Sequence, residues 1–135
     1  MSWPDALLAS SALHLGFQLG VSVLAYPALA EVTPERWAAA HDAHSRRIVG
    51  LVVVVYAAVL LACVGTLLAG PSGAAVLAVA GNGAALALTA ALAAPLHGRL
   101  GRGHDPVLVR RLLWVDRGRT AAAAIALVGA FAAAG

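Results

Sequence analysis

The chain has 135 residues, of which 61% are hydrophobic and 11% charged, and its mean hydropathy is +0.88. These values lie far outside the range of soluble domains and indicate an integral membrane protein. The net charge of +3 and the pI near 10 do not require a nucleic-acid partner, because membrane topology accounts for the same basic residues.

Four apolar blocks divide the sequence, at about residues 6–30, 48–69, 74–96 and 112–134. The first three exceed the roughly 20 residues that a helix needs to cross about 30 Å of hydrocarbon. The fourth can reach this length only by including Asp116, Arg117 and Arg119. The sequence therefore predicts an all-α, polytopic membrane protein: a four-transmembrane-helix bundle that forms one domain over residues 1–135.

Turn and capping residues predict how the four helices are joined. The segment GPSG at residues 70–73 predicts an antiparallel hairpin between the second and third helices. Thr33-Pro34-Glu35 and Asp105-Pro106 predict that the second and fourth helices begin before the membrane. The first and third blocks end near prolines, in "AYPAL" and "AAPLHGRL", and the two halves resemble a weak parallel repeat.

Glycine spacing predicts where the helices approach each other closely. Gly16 and Gly20 lie one turn apart in the first block, and Gly81 and Gly83 lie in the third. An internal packing seam is favoured over a dimerisation motif, and a homo-oligomer is left open.

All nine basic residues are arginines, and they fall in two connections. Between the first and second blocks lie Arg36, Arg46 and Arg47; between the third block and the fourth span lie Arg99, Arg102, Arg110, Arg111, Arg117 and Arg119. By the positive-inside rule both connections are cytoplasmic and both termini face outward. We therefore expect a multi-pass protein of the bacterial inner (plasma) membrane, with the lipid bilayer as a partner.

Three polar residues lie deep within the apolar blocks. His14 and Gln18 are one turn apart on one face of the first helix, and Asn82 lies at a comparable depth in the third. Lipid offers them no partner, so they must face protein or a cavity. Two interpretations are left open: an interhelical hydrogen bond among the three, or the floor of a substrate or cofactor pocket.

Histidines accumulate nearer the arginine-rich end. Trp37, His41 and His44 lie on one stripe of the second helix, while Asp42 and Arg46 are expected to pair on another face. His41 and His44, with His97 at the same level, could form a metal site for iron, copper or zinc. The alternative is that His41 and His44 hydrogen-bond lipid headgroups at the interface.

The fourth helix brings charge into the same region. Asp116 enters the membrane by at least a turn, within reach of Arg119 and Thr120 on its own helix. Burial of charges is costly even when they are paired, so Asp116 with Arg117 or Arg119 favours a functional role. The alternative is that Asp116 only neutralises one of these arginines.

Four segments of the chain resemble a known family. "LHLGFQLGVSVLAYPAL", "ERWAAAHDAHSRRI", "NGAALALTAALAAPLHGRL" and "LLWVDRGRT" are similar to small four-helix bacterial membrane proteins of the DUF1772 or anthrone-oxygenase-like type. In that family a late N-W-x-R-T-like segment starts the last helix, and residues 114–120 depart from it. The resemblance implies a membrane enzyme that oxidises or remodels a hydrophobic aromatic or polyketide-like compound. It implies no particular metal, so the cofactor is left open among iron or copper, haem, and none.

The residues and the resemblance together predict a lipophilic substrate whose polar head meets a histidine, aspartate and arginine cluster. The predicted catalytic residues are His41, His44, Asp116 and Arg117. The predicted substrate-binding residues are His14, Gln18, Trp37, Asn82, Trp114 and Arg119. Two alternatives are a haem- or metal-binding membrane protein with His14 as an axial ligand, and a small transporter or accessory subunit.

Overall fold

The computed structural model of the chain describes residues 2–135. About 90% of these residues are helical, and this part of the chain contains no strand. There are four long helices: α1 (Trp3–Ala30), α2 (Pro34–Leu68), α3 (Gly73–Leu100) and α4 (Pro106–Ala134). The predicted all-helical fold is thereby confirmed.

Three of the helices are long and apolar enough to cross a membrane, namely α1, α2 and α3. Helix α4 is as long but is not among them. Its first half carries the three charges that the predicted fourth span has to include, which are Asp116, Arg117 and Arg119, and also Arg110 and Arg111 before that span.

Side chains cap three of the four helix starts. Ser2 and Asp5 form a reciprocal capping box on α1, in which the Ser2 N–H donates to Asp5 Oδ2 at 2.9 Å. The Ser72 hydroxyl accepts from the N–H of Ala75, and Asp105 Oδ1 accepts from Val107 N at 2.8 Å. The predicted cap at Asp105 is thus confirmed, whereas Thr33 precedes α2 without a side-chain bond to the helix backbone.

Helix α1 ends at Ala30 as predicted, whereas α3 does not end at the predicted residue 96. A π-helical turn, Val21–Ala25 in α1 and Thr89–Ala93 in α3, comes just before Pro27 and Pro95 respectively. Proline lacks an N–H and its ring clashes with the carbonyl four residues earlier, and a wider turn relieves both problems. Helix α3 therefore continues to Leu100 instead of ending near residue 96. In both α1 and α3 the π-helical turn ends two residues before the proline.

The helices pack unevenly around the interior. Helix α3 packs along α4, and α1 contacts both α2 and α4, whereas α2 and α3 touch each other little. The contact between α3 and α4 is a backbone contact at Gly81 and Gly129. A Cβ at Gly81 would lie 2.8 Å from Ala122 O, and one at Gly129 would lie 2.7 Å from Ala78 N.

Only one of the four glycines predicted to allow close approach does so. Gly81 is confirmed, but a Cβ added at Gly16, Gly20 or Gly83 would meet nothing within 4 Å. The predicted seam along Gly16 and Gly20 is wrong, because that edge of α1 faces outward while His14 and Gln18 face the interior. Gly129, which the sequence analysis did not single out, forms the second close contact.

We expect Gly81→Ala to lower the free energy of unfolding by about 1–3 kcal/mol, because the added methyl forces the α3 and α4 backbones apart. Gly83→Ala, two residues away with open space around it, should leave stability unchanged or raise it by up to about 1 kcal/mol through helix propensity. Unfolding titrations with a denaturing detergent measure both. Equal effects of the two changes would contradict the close backbone contact.

The buried apolar residues form two clusters with polar residues between them. One cluster, at the arginine-rich end, includes Trp37, Leu100 and Leu112. The other, near the helix ends joined by the 70–73 turn, includes Leu7 and Val59. Between the clusters lie the buried polar side chains of Ser11, His14, Gln18, Asn82, Asp116 and Arg119.

Candidate functional site

A cavity of about 280 Å³ lies between α1, α2 and α3, beside Arg119 of α4. Most of its wall is apolar, from Phe17, Val21, Ile48, Val49, Val52, Ala93 and Ala94. The polar lining residues are Tyr26, His44, Ser45, Tyr56, Thr89, His97 and Arg119. The cavity has the composition of a small-molecule site: an apolar body with a few convergent polar groups.

Arg119 is the most extensively hydrogen-bonded side chain at the cavity, although only 3% of it is exposed. Its Nη2 donates to Gln18 Oε1 at 2.9 Å and to Tyr56 Oη at 3.0 Å, and its Nη1 donates to Tyr26 Oη at 3.4 Å. Residues of two helices, α1 and α2, therefore fix the guanidinium of α4 in place. The Tyr56 hydroxyl continues the network to Thr89 Oγ1 at 2.8 Å.

Asp116 is the counter-ion of this arginine and lies behind it. Asp116 Oδ1 is 3.6 Å from Arg119 Nη1, and Oδ2 accepts a hydrogen bond from the Ser22 hydroxyl. The Thr120 hydroxyl donates to the Asp116 carbonyl and lies 2.8 Å from Ser22 Oγ. The predicted contacts of Asp116 with Arg119 and Thr120 are confirmed, but Asp116 does not line the cavity.

Three histidines from two helices meet Tyr26 at the arginine-rich side of the cavity. His97 Nε2 is 2.9 Å from Tyr26 Oη, and His97 Nδ1 is 3.2 Å from His41 Nε2. The His44 ring stacks on His97 at 5.8 Å between centroids, and its Nε2 is buried without a partner in residues 2–135. His44 Nε2 is thus a buried nitrogen without a partner on a residue that lines the cavity, whereas His41 contacts His97 and does not line the cavity.

Trp37 lies next to the histidines, beside the connection between α3 and α4. Its indole N–H donates to the Leu100 carbonyl at 2.8 Å, and its ring contacts those of His41 and His104. Only 1% of Trp37 is exposed, and it does not line the cavity. The structure therefore places Trp37 as a packing residue beside the histidines. The ion pair between Asp42 and Arg46 lies on the exposed face of α2, as predicted.

The predicted metal-binding set does not fit a metal ion in this arrangement. Both ring nitrogens of His97 are engaged, one with Tyr26 and one with His41. Within residues 2–135 no group of three or more histidine, cysteine, aspartate or glutamate side chains is arranged to hold a metal ion. The predicted metal site at His41, His44 and His97 is therefore not supported by the arrangement of these side chains.

The deep polar residues divide between two separate sets of contacts. His14 Nδ1 is 2.8 Å from Asn82 Oδ1, and Asn82 Nδ2 donates to Ser11 Oγ at 2.9 Å. Of the two interpretations left open for His14, Gln18 and Asn82, the interhelical hydrogen bond is therefore present between His14 and Asn82. Neither residue lines the cavity. Gln18 does not join this hydrogen bond but binds Arg119.

Arg117 and Trp114 lie away from the cavity. Trp114 is 68% exposed, and the Arg117 guanidinium is 4.5 Å from the centre of its ring. Two residues along a helix point to different sides, so Arg119 faces the interior while Arg117 faces outward. The structure does not bring the predicted catalytic Arg117 or the predicted substrate-binding Trp114 to the candidate site.

Four hydroxyl groups of the site were not predicted from the sequence, those of Ser22, Tyr26, Tyr56 and Thr89. A signal for two of them exists in the spacing. Ser22 follows Gln18 by four positions and Tyr26 follows Ser22 by four, so the members of each pair lie next to each other on the helix surface. Hydroxyl groups cost less to bury than charges, and this made them less conspicuous in the apolar blocks.

The chain matches no protein-family model, no curated protein and no solved structure.

Proposed function

We propose that the protein is a membrane enzyme acting on a lipophilic aromatic or polyketide-like small molecule that carries an enolisable carbonyl or a phenol. The observation that carries this proposal is the cavity of about 280 Å³, whose apolar wall faces a polar wall of His44, Tyr26, Tyr56 and Arg119. An apolar ring system suits the first wall, and a carbonyl or hydroxyl oxygen suits the second.

The polar wall supports proton abstraction. His44 Nε2 has no partner in residues 2–135, so in the tautomer with its proton on Nδ1 it is free to accept one from the substrate. The electron pair of the broken C–H or O–H bond stays on the substrate as an enolate or phenolate. The positive charge of the Arg119 guanidinium, held in position by Tyr26 and Tyr56, then stabilises the negative oxygen.

Oxidation follows from the enolate if dioxygen is the second substrate. The CH₂ group in the ring that bears the carbonyl is oxidised to a second carbonyl. One oxygen atom of dioxygen enters the product, and the other leaves as water. The residues of this chain provide the base and the oxyanion contacts, and dioxygen provides the oxidising equivalents. The DUF1772 or anthrone-oxygenase-like resemblance agrees with this class of reaction.

Other residues of the network position those at the cavity. Asp116 and Gln18 hold Arg119, and His41 holds His97 through its ring nitrogen. This reassigns Asp116 and His41 from catalytic to positioning residues. His14 and Asn82 join α1 to α3 and support the network from the far side.

Substrate access is proposed from the lipid, between α2 and α3. These two helices touch each other little, and the exposed residues Val49 of α2 and Ala94 of α3 line the cavity. A lipophilic molecule dissolved in the bilayer can reach this opening without crossing water.

We also propose that all four helices span the inner membrane, with both arginine-bearing connections in the cytoplasm. The burial of Asp116 and Arg119 supports this for α4, because its two innermost charges are paired and hydrogen-bonded inside the protein and not exposed to lipid. The distribution of the arginines supports the orientation.

The test uses the purified protein in nanodiscs with an anthrone as the probe. We expect saturable binding and dioxygen consumption with quinone formation, at rates above those of protein-free nanodiscs. Val52→Trp, which fills the cavity, should abolish both, whereas Val53→Trp on the exposed face of the same helix should not. Wild-type protein that neither binds the anthrone nor accelerates its oxidation would overturn the proposal.

A further inference from the structure

A second cavity, of about 410 Å³, lies between α3 and α4 at the arginine-bearing end and shares no residue with the candidate site. We name it the α3–α4 groove. Its apolar lining includes Leu92 and Leu96, and its polar lining consists of Arg99 and Arg111. The lining residues on α4 are Arg111, Trp114 and Val115. Trp114, with 68% of its surface exposed, therefore lies between a charged and an apolar residue.

The two arginines of the groove are available for an external anion. Both are exposed, and neither has a hydrogen-bond acceptor or ion-pair partner within residues 2–135. The nearby acids are used elsewhere, since Asp105 caps α4 and Asp116 is buried beside Arg119. A phosphate group offers the oxygen atoms that two guanidinium groups bind well.

The rest of the groove fits an acyl chain and not a free anion. Leu92, 44% exposed, and Leu96 continue from Arg99 along α3 toward its middle. Trp114 has the amphipathic ring that typically lies at headgroup level, and Arg117 stacks on it. The order from the helix ends inward is therefore cationic, aromatic, aliphatic, which matches the order of chemical groups in a phospholipid.

We propose that the α3–α4 groove binds a phospholipid with an anionic headgroup. Arg99 and Arg111 bind the phosphate, Trp114 lies beside the glycerol region, and one acyl chain lies along Leu92 and Leu96. This site is independent of the chemistry proposed for the cavity between α1, α2 and α3. It depends only on the protein being in a bilayer.

The experiment measures lipid selectivity by native mass spectrometry of protein released from nanodiscs of phosphatidylcholine with a minor fraction of phosphatidylglycerol. We expect retained phosphatidylglycerol to exceed its bulk proportion. Arg99→Gln with Arg111→Gln should reduce the preference by at least about ten-fold, roughly the factor for one lost hydrogen bond to a charged group. Arg102→Gln with Arg110→Gln removes the same charge from the same end outside the groove and should change the preference little.

Three outcomes would overturn the proposal. Wild-type protein without preference for phosphatidylglycerol has no such site. Equal losses in the two double variants would show general electrostatic attraction instead of a groove. Displacement of the retained lipid by millimolar glycerol phosphate alone would show that the arginines recognise free phosphate and that the apolar lining contributes nothing. Circular dichroism of both variants verifies that these exposed substitutions leave the helices intact.

Discussion

Arg119→Leu is expected to lower the free energy of unfolding by about 3–5 kcal/mol, the largest effect of any single substitution at the candidate site. The change removes the donors to Gln18, Tyr26 and Tyr56 and leaves the Asp116 carboxylate buried without a counter-ion. A carboxylate in that position must either bear an uncompensated charge or take up a proton. Unfolding titrations in detergent, followed by circular dichroism, measure the loss.

Two variants make this result specific. Arg117→Leu removes an arginine two positions away on the exposed face of the same helix and should change stability by no more than about 0.5 kcal/mol. Asp116→Leu combined with Arg119→Leu should recover most of the loss, because no buried charge is then left unpaired. If Arg119→Leu costs no more than Arg117→Leu, the hydrogen-bonded network described for Arg119 is wrong.

His44→Ala is expected to slow proton abstraction by roughly 10²–10⁴-fold, the range for loss of a positioned general base. The expectation rests on the proposed function and on the unpartnered Nε2 of His44 at the cavity. Exchange of the substrate's acidic hydrogen for deuterium, measured without dioxygen, isolates this step from oxidation. The affinity for the anthrone should change much less than the exchange rate, since most of the cavity wall is apolar.

His104→Ala is the matched control, because His104 contacts Trp37 at the edge of the same region but does not line the cavity. Its exchange rate should equal that of the wild type. Equal exchange rates for His44→Ala and His104→Ala would exclude His44 as the base. His97 would then be the remaining histidine at the cavity wall.

Hydropathy and turn chemistry predicted most of the fold. The positions of α1, α2 and α3 follow from apolar length alone, and the tight turn at residues 70–73 and the cap at Asp105 follow from local residues. Packing was harder to predict, because small residues occur throughout the chain. A glycine pair in sequence does not say which face of its helix meets a neighbour, so Gly16 and Gly20 were misplaced and Gly129 was missed.

The candidate site was predicted in part for a similar reason. His44, His97 and Arg119 were singled out as polar groups in an apolar context, and all three line the cavity. The choice between Arg117 and Arg119 depended on which face of α4 is buried, which the sequence pattern alone did not decide. Arg119 follows Asp116 by three positions, and residues three apart lie side by side on a helix. This spacing would have favoured Arg119 over Arg117.

The π-helical turn of α1 has a geometric effect on the site. Tyr26 follows His14 by twelve positions, and at about 100° per residue an uninterrupted α-helix would rotate the two side chains about 120° apart. A π turn takes in one extra residue, so the turn at Val21–Ala25 removes about 100° of that rotation and returns Tyr26 to the face of His14. The alignment of the polar side chains of α1, from His14 in the middle of the protein to Tyr26 near its arginine-bearing end, is therefore a matter of helical phase, set by one additional residue in that helix.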